Sequence, residues 1–259
     1  MRREVLFLIA LAASGCTLDP VPPTIDFGQV YVGFSSPIQT AHWVNNGDQD
    51  TDLLALSTRQ PYRIVNSGAF ASSQTIVPGG SSATVQVQFA PTAAGRFPEE
   101  VRPVSQPVRA VLLQLQGEGV WAINEGAFSL ENNPPHIVGS FDFSTYPIQP
   151  NQPIDWGTRQ LGGPAVEAMF QLRNTGPAVN GTANARMLKG DQHFTIVFPV
   201  THTDFNIGPI GGTGGTREIR VSFNPVAVGE WLDVIEVTDS ANPNSRAGIV
   251  CKARVVAGD

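Results

Sequence analysis

Four side chains able to ligate a metal or move a proton fall close together, as Asp191-Gln192-His193 and His202-Thr203-Asp204. Imidazole nitrogens and carboxylate oxygens are the donors of a catalytic zinc site. Here their spacing is irregular, no cysteine accompanies them and the stretch is loop-rich. They read as solvated strand and turn positions, and no metal ligand is assigned. Gly211 to Gly215 is rich in glycine but lacks the following Lys-Ser/Thr of a phosphate-binding loop, so it reads as a turn. No serine stands in a Gly-x-Ser-x-Gly context that would turn the histidines into a hydrolase triad. Asn180-Gly181-Thr182 has the form of a glycosylation acceptor, a triplet short enough to arise by chance. No catalytic residue and no cofactor is expected.

The remaining reactive groups are the two cysteines, Cys16 and Cys251. Arg2 and Arg3 precede an apolar run from Val5 to Ala13, followed by Ala13-Ser14-Gly15-Cys16. A membrane-spanning helix needs roughly 20 apolar residues, about twice this run, so the segment reads as a secretory signal. A cysteine straight after small residues resembles the bacterial lipobox. That resemblance implies attachment of diacylglycerol to the Cys16 thiol and cleavage just before it, leaving Cys16 as a lipidated N-terminus, with palmitate among the lipids. Ala13 stands where the lipobox commonly has Leu, and Thr17 rather than Asp at the next position implies the outer membrane. Several acyl chains at one site hold a protein firmly, whereas one binds marginally. The expectation is a signal peptide over 1–15 and a lipidated tether over 16–23, reaching about 25 Å at 3.3 Å per residue. Cys251 is then left without an intramolecular partner, and the period of its strand places it beside Ile249 as a small core residue. An intermolecular disulfide is the other reading in an oxidising compartment.

Composition bounds the soluble body. The formal net charge of −6 becomes −7 once Arg2, Arg3 and Glu4 are removed. An acidic balance argues against a phosphate backbone as partner, so no nucleic acid is expected. With 26 glycines, 21 prolines and only 15% charged residues, the chain suits many short strands joined by tight turns.

The elements that must carry these residues are strands. Thr84 to Phe89 alternates strictly, which puts Val85, Val87 and Phe89 on one face, and Glu218 to Phe223 does the same with Ile219, Val221 and Phe223. Val111, Leu113 and Leu115 form a further inward set. No run has convincing helical periodicity after the signal peptide. Turn signals at Asn45-Asn46-Gly47, Pro78-Gly79-Gly80 and Asn174-Thr175-Gly176 space the strands as in a β-sandwich. The pattern also occurs twice. Ile25-Asp26-Phe27-Gly28 leads through Phe89-Ala90-Pro91 to Gly95, and Ile154-Asp155-Trp156-Gly157 through Phe223-Asn224-Pro225 to Gly229. The copies are 129 residues apart at the first motif and 134 at the second.

These spaced motifs, with Leu115-Gln116-Gly117-Glu118-Gly119 closing the first copy, resemble the ASH domain (abnormal spindle, SPD-2, hydin), an immunoglobulin-like sandwich related to major sperm protein and the PapD-like pilus chaperones. In bacterial surface proteins the repeat is called choice-of-anchor D. In the second copy Thr238 to Pro243 looks like the family's hairpin between the last two strands. The resemblance implies an all-β fold of two tandem immunoglobulin-like (ASH/MSP/PapD-like) β-sandwich domains, at 24–120 and 134–259, with a linker at 121–133. Adding 134 to Gly117 gives Cys251, so Val250-Cys251-Lys252-Ala253 stands in place of the closing glycines. The implied function is a non-catalytic, membrane-anchored scaffold that binds an envelope or surface protein through a sheet edge. The alternative is a cell-surface adhesin or glycan binder, for which Trp43, Trp121 and Trp231 would have to be exposed platforms. A metal-dependent enzyme would rest only on the His/Asp cluster. The oligomeric state is left open.

Overall fold

The computed structural model describes residues 17–66, 75–106, 109–125, 128–132, 153–174, 181–208, 216–241 and 244–258, and among them every regular element is a strand. In the first copy one sheet runs in the order Arg109–Ala110, Thr17–Val21, Gln39–Asn45, Ser82–Phe89, Tyr62–Ile64. The facing sheet runs Thr24–Tyr31, Leu113–Val120, Glu99–Gln106, Thr51–Ser57, Thr75–Val77, with Gly95–Arg96 also pairing with Leu113–Val120. In the second copy Arg246–Val256 pairs with Gly229–Asp239, which continues to Gly181–Met187 and Phe205–Gly208. On its other side Arg246–Val256 receives Ala122–Glu125 and, in parallel, Ile154–Gln160. The facing sheet runs Phe128–Asn132, Val166–Asn174, Thr216–Phe223, Phe194–Phe198. The fold is all-β and immunoglobulin-like.

Alternation decides what is inside. Val85, Val87 and Phe89 are fully buried, as are Ile219, Val221 and Phe223. Leu113 and Leu115 are buried too, but Val111, expected on the same inward face, is exposed, because the chain crosses there from the sheet of Arg109–Ala110 to that of Leu113–Val120 and the strand period is broken. Each copy is centred on a trio of rings. Phe27, Tyr62 and Phe89 lie with centroids 4.9 to 5.9 Å apart. Trp156 and Phe223 both contact Phe194, at 5.3 and 4.9 Å. The residue after the first ring of each trio must turn left-handed, with φ of 62° at Gly28 and 70° at Gly157. A Cβ is disfavoured there, which accounts for glycine. The repeat extends to single hydrogen bonds, since Gly33 N donates to Pro91 O and Gly162 N to Pro225 O, both at 2.9 Å.

By contact density the chain forms two units, one from the residues up to Phe27 with Ser36–Phe89 and Phe97–Gly117, the other from Gly28–Ser35, Ala90–Arg96 and the residues from Glu118 on. In the second unit Tyr31, Val120, Ile123, Val234 and Val250 make an apolar cluster apart from its main core.

Three expectations are corrected. Thr17–Val21 is a strand, not a tether. It pairs with Gln39–Asn45 from Leu18↔Asn45 to Val21↔His42, and Leu18 is fully buried. The prolines that suggested a loose segment are tolerated because alternate residues still bury apolar groups. The expected linker 121–133 contains two strands, Ala122–Glu125 and Phe128–Asn132, each paired within the second copy. The equivalence of Gly117 with Cys251 also fails. Gly95 pairs with Gly119, whereas its counterpart Gly229 pairs with Val255. The closing strand of the second copy is therefore displaced by two further residues. Leu115, Gly117 and Gly119 correspond to Cys251, Ala253 and Val255.

Candidate functional site

The His/Asp residues are positioned by the bend that follows Gly181–Met187. Its anchor is Asp233, a carboxylate on the inner face of Gly229–Asp239 that sequence reasoning passed over. Asp233 accepts hydrogen bonds from the N–H groups of Val234 (2.7 Å), Lys189 (2.8 Å) and Gly190 (3.2 Å). Burial pushes its carboxyl above the ordinary range and the backbone donors pull it back, while Asp191 adds repulsion. The signal in sequence is its place among the alternate positions Trp231, Asp233, Ile235 and Val237, where the other three are apolar.

The bend delivers Asp191, whose Oδ1 accepts the His193 backbone N–H at 2.9 Å and lies 3.3 Å from His193 Nδ1. His193 is buried, which corrects the expectation of a solvated residue. Its ring lies flat on Trp231, with centroids 3.5 Å apart and planes at 16°. This imidazole is packing material between an indole and the Phe223 ring. His202 serves through its carbonyl, which accepts Ala185 N–H at 2.8 Å. Asp204 N–H donates to Asn184 Oδ1 at 2.9 Å. Among the described residues no three His, Cys, Asp or Glu side chains converge as a metal site.

Cys251 is fully buried in the second core, as the period of its strand implied, and burial pushes its thiol far up. A thiol so enclosed cannot reach a second molecule without unfolding. Trp43, one candidate platform, is buried, with its indole N–H donating to Val111 O at 2.9 Å. Trp231 is half-buried and donates to Ala227 O, while Trp121 packs on the Tyr31 cluster. Cys16, with the signal sequence, and Gly211 to Gly215 lie outside the described residues.

Among the described residues one edge stands open. Phe194–Phe198 is the last strand of its sheet there, and the described strand it pairs with is Thr216–Phe223. Phe194 and Ile196 point inward, whereas Val197 is 38% exposed and Val200, just past the strand, is 85% exposed. Arg217 and Arg220 stack on the Phe198 ring at 5.4 and 5.6 Å. Beside the strand lies a shallow groove of about 430 Å³, floored by Ala185, Met187, Phe194 and Ile196 and rimmed by Arg186, Asp191, Thr195 and His202. The run Phe194-Thr195-Ile196-Val197-Phe198-Pro199 carries the signal in sequence, five β-formers stopped by a proline.

No family model and no curated protein matches the chain. Among solved structures it is similar to an ASH/PapD-like domain of human CEP192, at 14% identity over 46% of this chain and 96% of that one, with a TM-score of 0.34. It is also similar to SSP-19, an MSP-domain protein of Caenorhabditis elegans, at 15% identity over 39% and 98%, TM-score 0.27. The Pseudomonas aeruginosa CupB2 chaperone matches at 10% identity over 82% and 91%, TM-score 0.24.

Proposed function

We propose that the chain is a non-catalytic, lipid-anchored protein-interaction module of the bacterial cell envelope, held at the outer membrane through acylated Cys16. The order of its motifs supports placing both sandwiches in the ASH/choice-of-anchor D group. The observation that carries the reading is the Phe194–Phe198 edge, a five-residue strand with no charged side chain and an exposed valine. Unpaired N–H and C=O groups on such an edge can be met by an extended segment of another chain, and sheet proteins ordinarily blunt edges with charge or proline. The groove beside it offers apolar floor to the alternate side chains of that segment, with Arg186 and Asp191 at its rim.

In-cell crosslinking of the lipidated protein, with mass spectrometry of what is captured, tests this. A discrete envelope protein is expected, lost in Val197→Lys and in Cys16→Ser. Capture that survives Val197→Lys would remove the edge from the account. Glycan or foreign-surface binding with no protein captured would replace the scaffold by the adhesin. Stoichiometric metal in the purified chain would revive an enzyme reading.

A further inference from the structure

The strand Thr17–Val21 begins one residue after the cysteine that would carry the lipid. This strand is not loosely attached. Thr17 pairs with Arg109, Leu18 with Asn45 and Ala110, and the Leu18 side chain has no exposure. The Thr17 carbonyl also accepts Asn46 N–H at 3.3 Å, and Asp19 accepts from both Thr17 Oγ1 (2.8 Å) and Asn46 Nδ2 (2.6 Å). A single peptide step of about 3.8 Å therefore separates the Cα of residue 16 from the folded sheet, against the 25 Å or so of a free seven-residue tether.

Resting on the proposed acylation of Cys16, we infer that the mature chain has no tether. The end of the first unit formed by residues 46–50 and 79–81 abuts the lipid headgroups, and the partner of that surface is the bilayer itself. These residues form one end because Asn46 bonds Thr17, and Gly80 N–H donates to both Asn45 O and Gly47 O at 3.0 Å. The Ser82–Phe89 strand leaves from this end, with Ser82 opposite Val44 and Phe89 opposite Tyr62. Its eight residues carry Arg63 to the far end, about 25 Å away at 3.3 Å per residue. Exposed Asp48 and Asp50 at the near end disfavour anionic lipid, so the end rests at a zwitterionic headgroup layer rather than inserting.

The test uses the full, lipidated protein reconstituted in phosphatidylcholine vesicles. A fluorophore is placed on Asp48→Cys or on Arg63→Cys, and lipids with a spin-labelled headgroup serve as quencher. Cys251 is buried and does not compete for the label. Quenching at position 48 is expected to exceed that at 63 by about twofold or more, because the positions differ by a strand length of about 25 Å. An insert of about ten Gly/Ser residues between positions 16 and 17 adds roughly 17 Å of reach and should abolish the difference. Equal quenching at both positions in a chain whose Cys16 mass shows the acyl groups overturns this inference and leaves the lipoprotein reading intact. A mature chain without acyl mass sinks both.

Discussion

The two copies share a ring trio and a turn geometry, yet they treat the same edge differently. In the first copy the edge strand is Tyr62–Ile64, three residues long, and its outward residue is Arg63, whose guanidinium bonds Gln88 on the neighbouring strand. In the second copy the counterpart is Phe194–Phe198, five residues long and without charge. Tyr62 and Phe194 hold equivalent places, each opposite the phenylalanine of its Phe-x-Pro box. A short, charged edge resists pairing with another chain, and a longer apolar one invites it. Among the described residues, the duplicated scaffold ends one sheet with a charged three-residue strand and the equivalent sheet with an uncharged five-residue strand.

The closing strands differ in the same direction. In the first copy a Cβ on Gly117 would lie 2.9 Å from the Phe89 ring, and one on Gly119 would lie 2.3 Å from the carbonyl oxygen of Ala93. The second copy accepts Ala253 and Val255 at these places and buries both. Gly119→Val gives the sharpest test. The obstacle is backbone, so overpacking should cost about 3 kcal/mol or leave the chain unfolded in thermal denaturation. A loss well below that would mean the copies are interchangeable here. The reverse change, Ala253→Gly, should cost about 1 kcal/mol by removing a buried methyl and loosening the strand. No change would show that this core does not use the methyl.

Asp233 marks a smaller difference, since its counterpart by register is the half-buried Glu99. Burial raises the Asp233 carboxyl in the folded state, which therefore binds the proton more tightly than the unfolded chain does. Its contribution to stability is fully present below the ordinary Asp value and is lost as pH rises through the raised native value. Asp233→Asn should remove that fall from the Tm against pH curve, and an unchanged slope would show that the carboxyl titrates as it does unfolded. The smallest stability effects belong to the edges, where Val197→Lys and Arg63→Val should each shift unfolding by less than about 0.5 kcal/mol. Their effects on association should be opposite. The first closes the open edge, and the second opens the closed one and raises self-association in sedimentation.

Much of this was legible in residue types. Thr84 to Phe89 and Glu218 to Phe223 alternate so strictly that their inward faces followed from period alone, and the doubled Asp-aromatic-Gly and Phe-x-Pro motifs marked the repeat. Other elements misled for stated reasons. Leu18 sits among prolines that suggest a tether, because the sequence does not show that Gln39–Asn45 lies ready to pair with it. Ala122–Glu125 fell in the expected linker, since a four-residue strand is indistinguishable from a loop until its partner is placed. The displaced equivalence of Cys251 was hidden because strand register depends on pairing across the hairpin, not on counting along the chain.

By itself, the sequence determined the all-β class, the duplication and the inward places of Phe89 and Phe223. Those depend on local period and residue type. Tertiary structure alone decided that His193 lies under Trp231, that Asp233 holds the bend before it, that Phe194–Phe198 stands last in its sheet among the described residues and that Thr17–Val21 pairs into the first sheet. Each of these depends on contacts between segments far apart in the chain, and such contacts leave no period in the sequence.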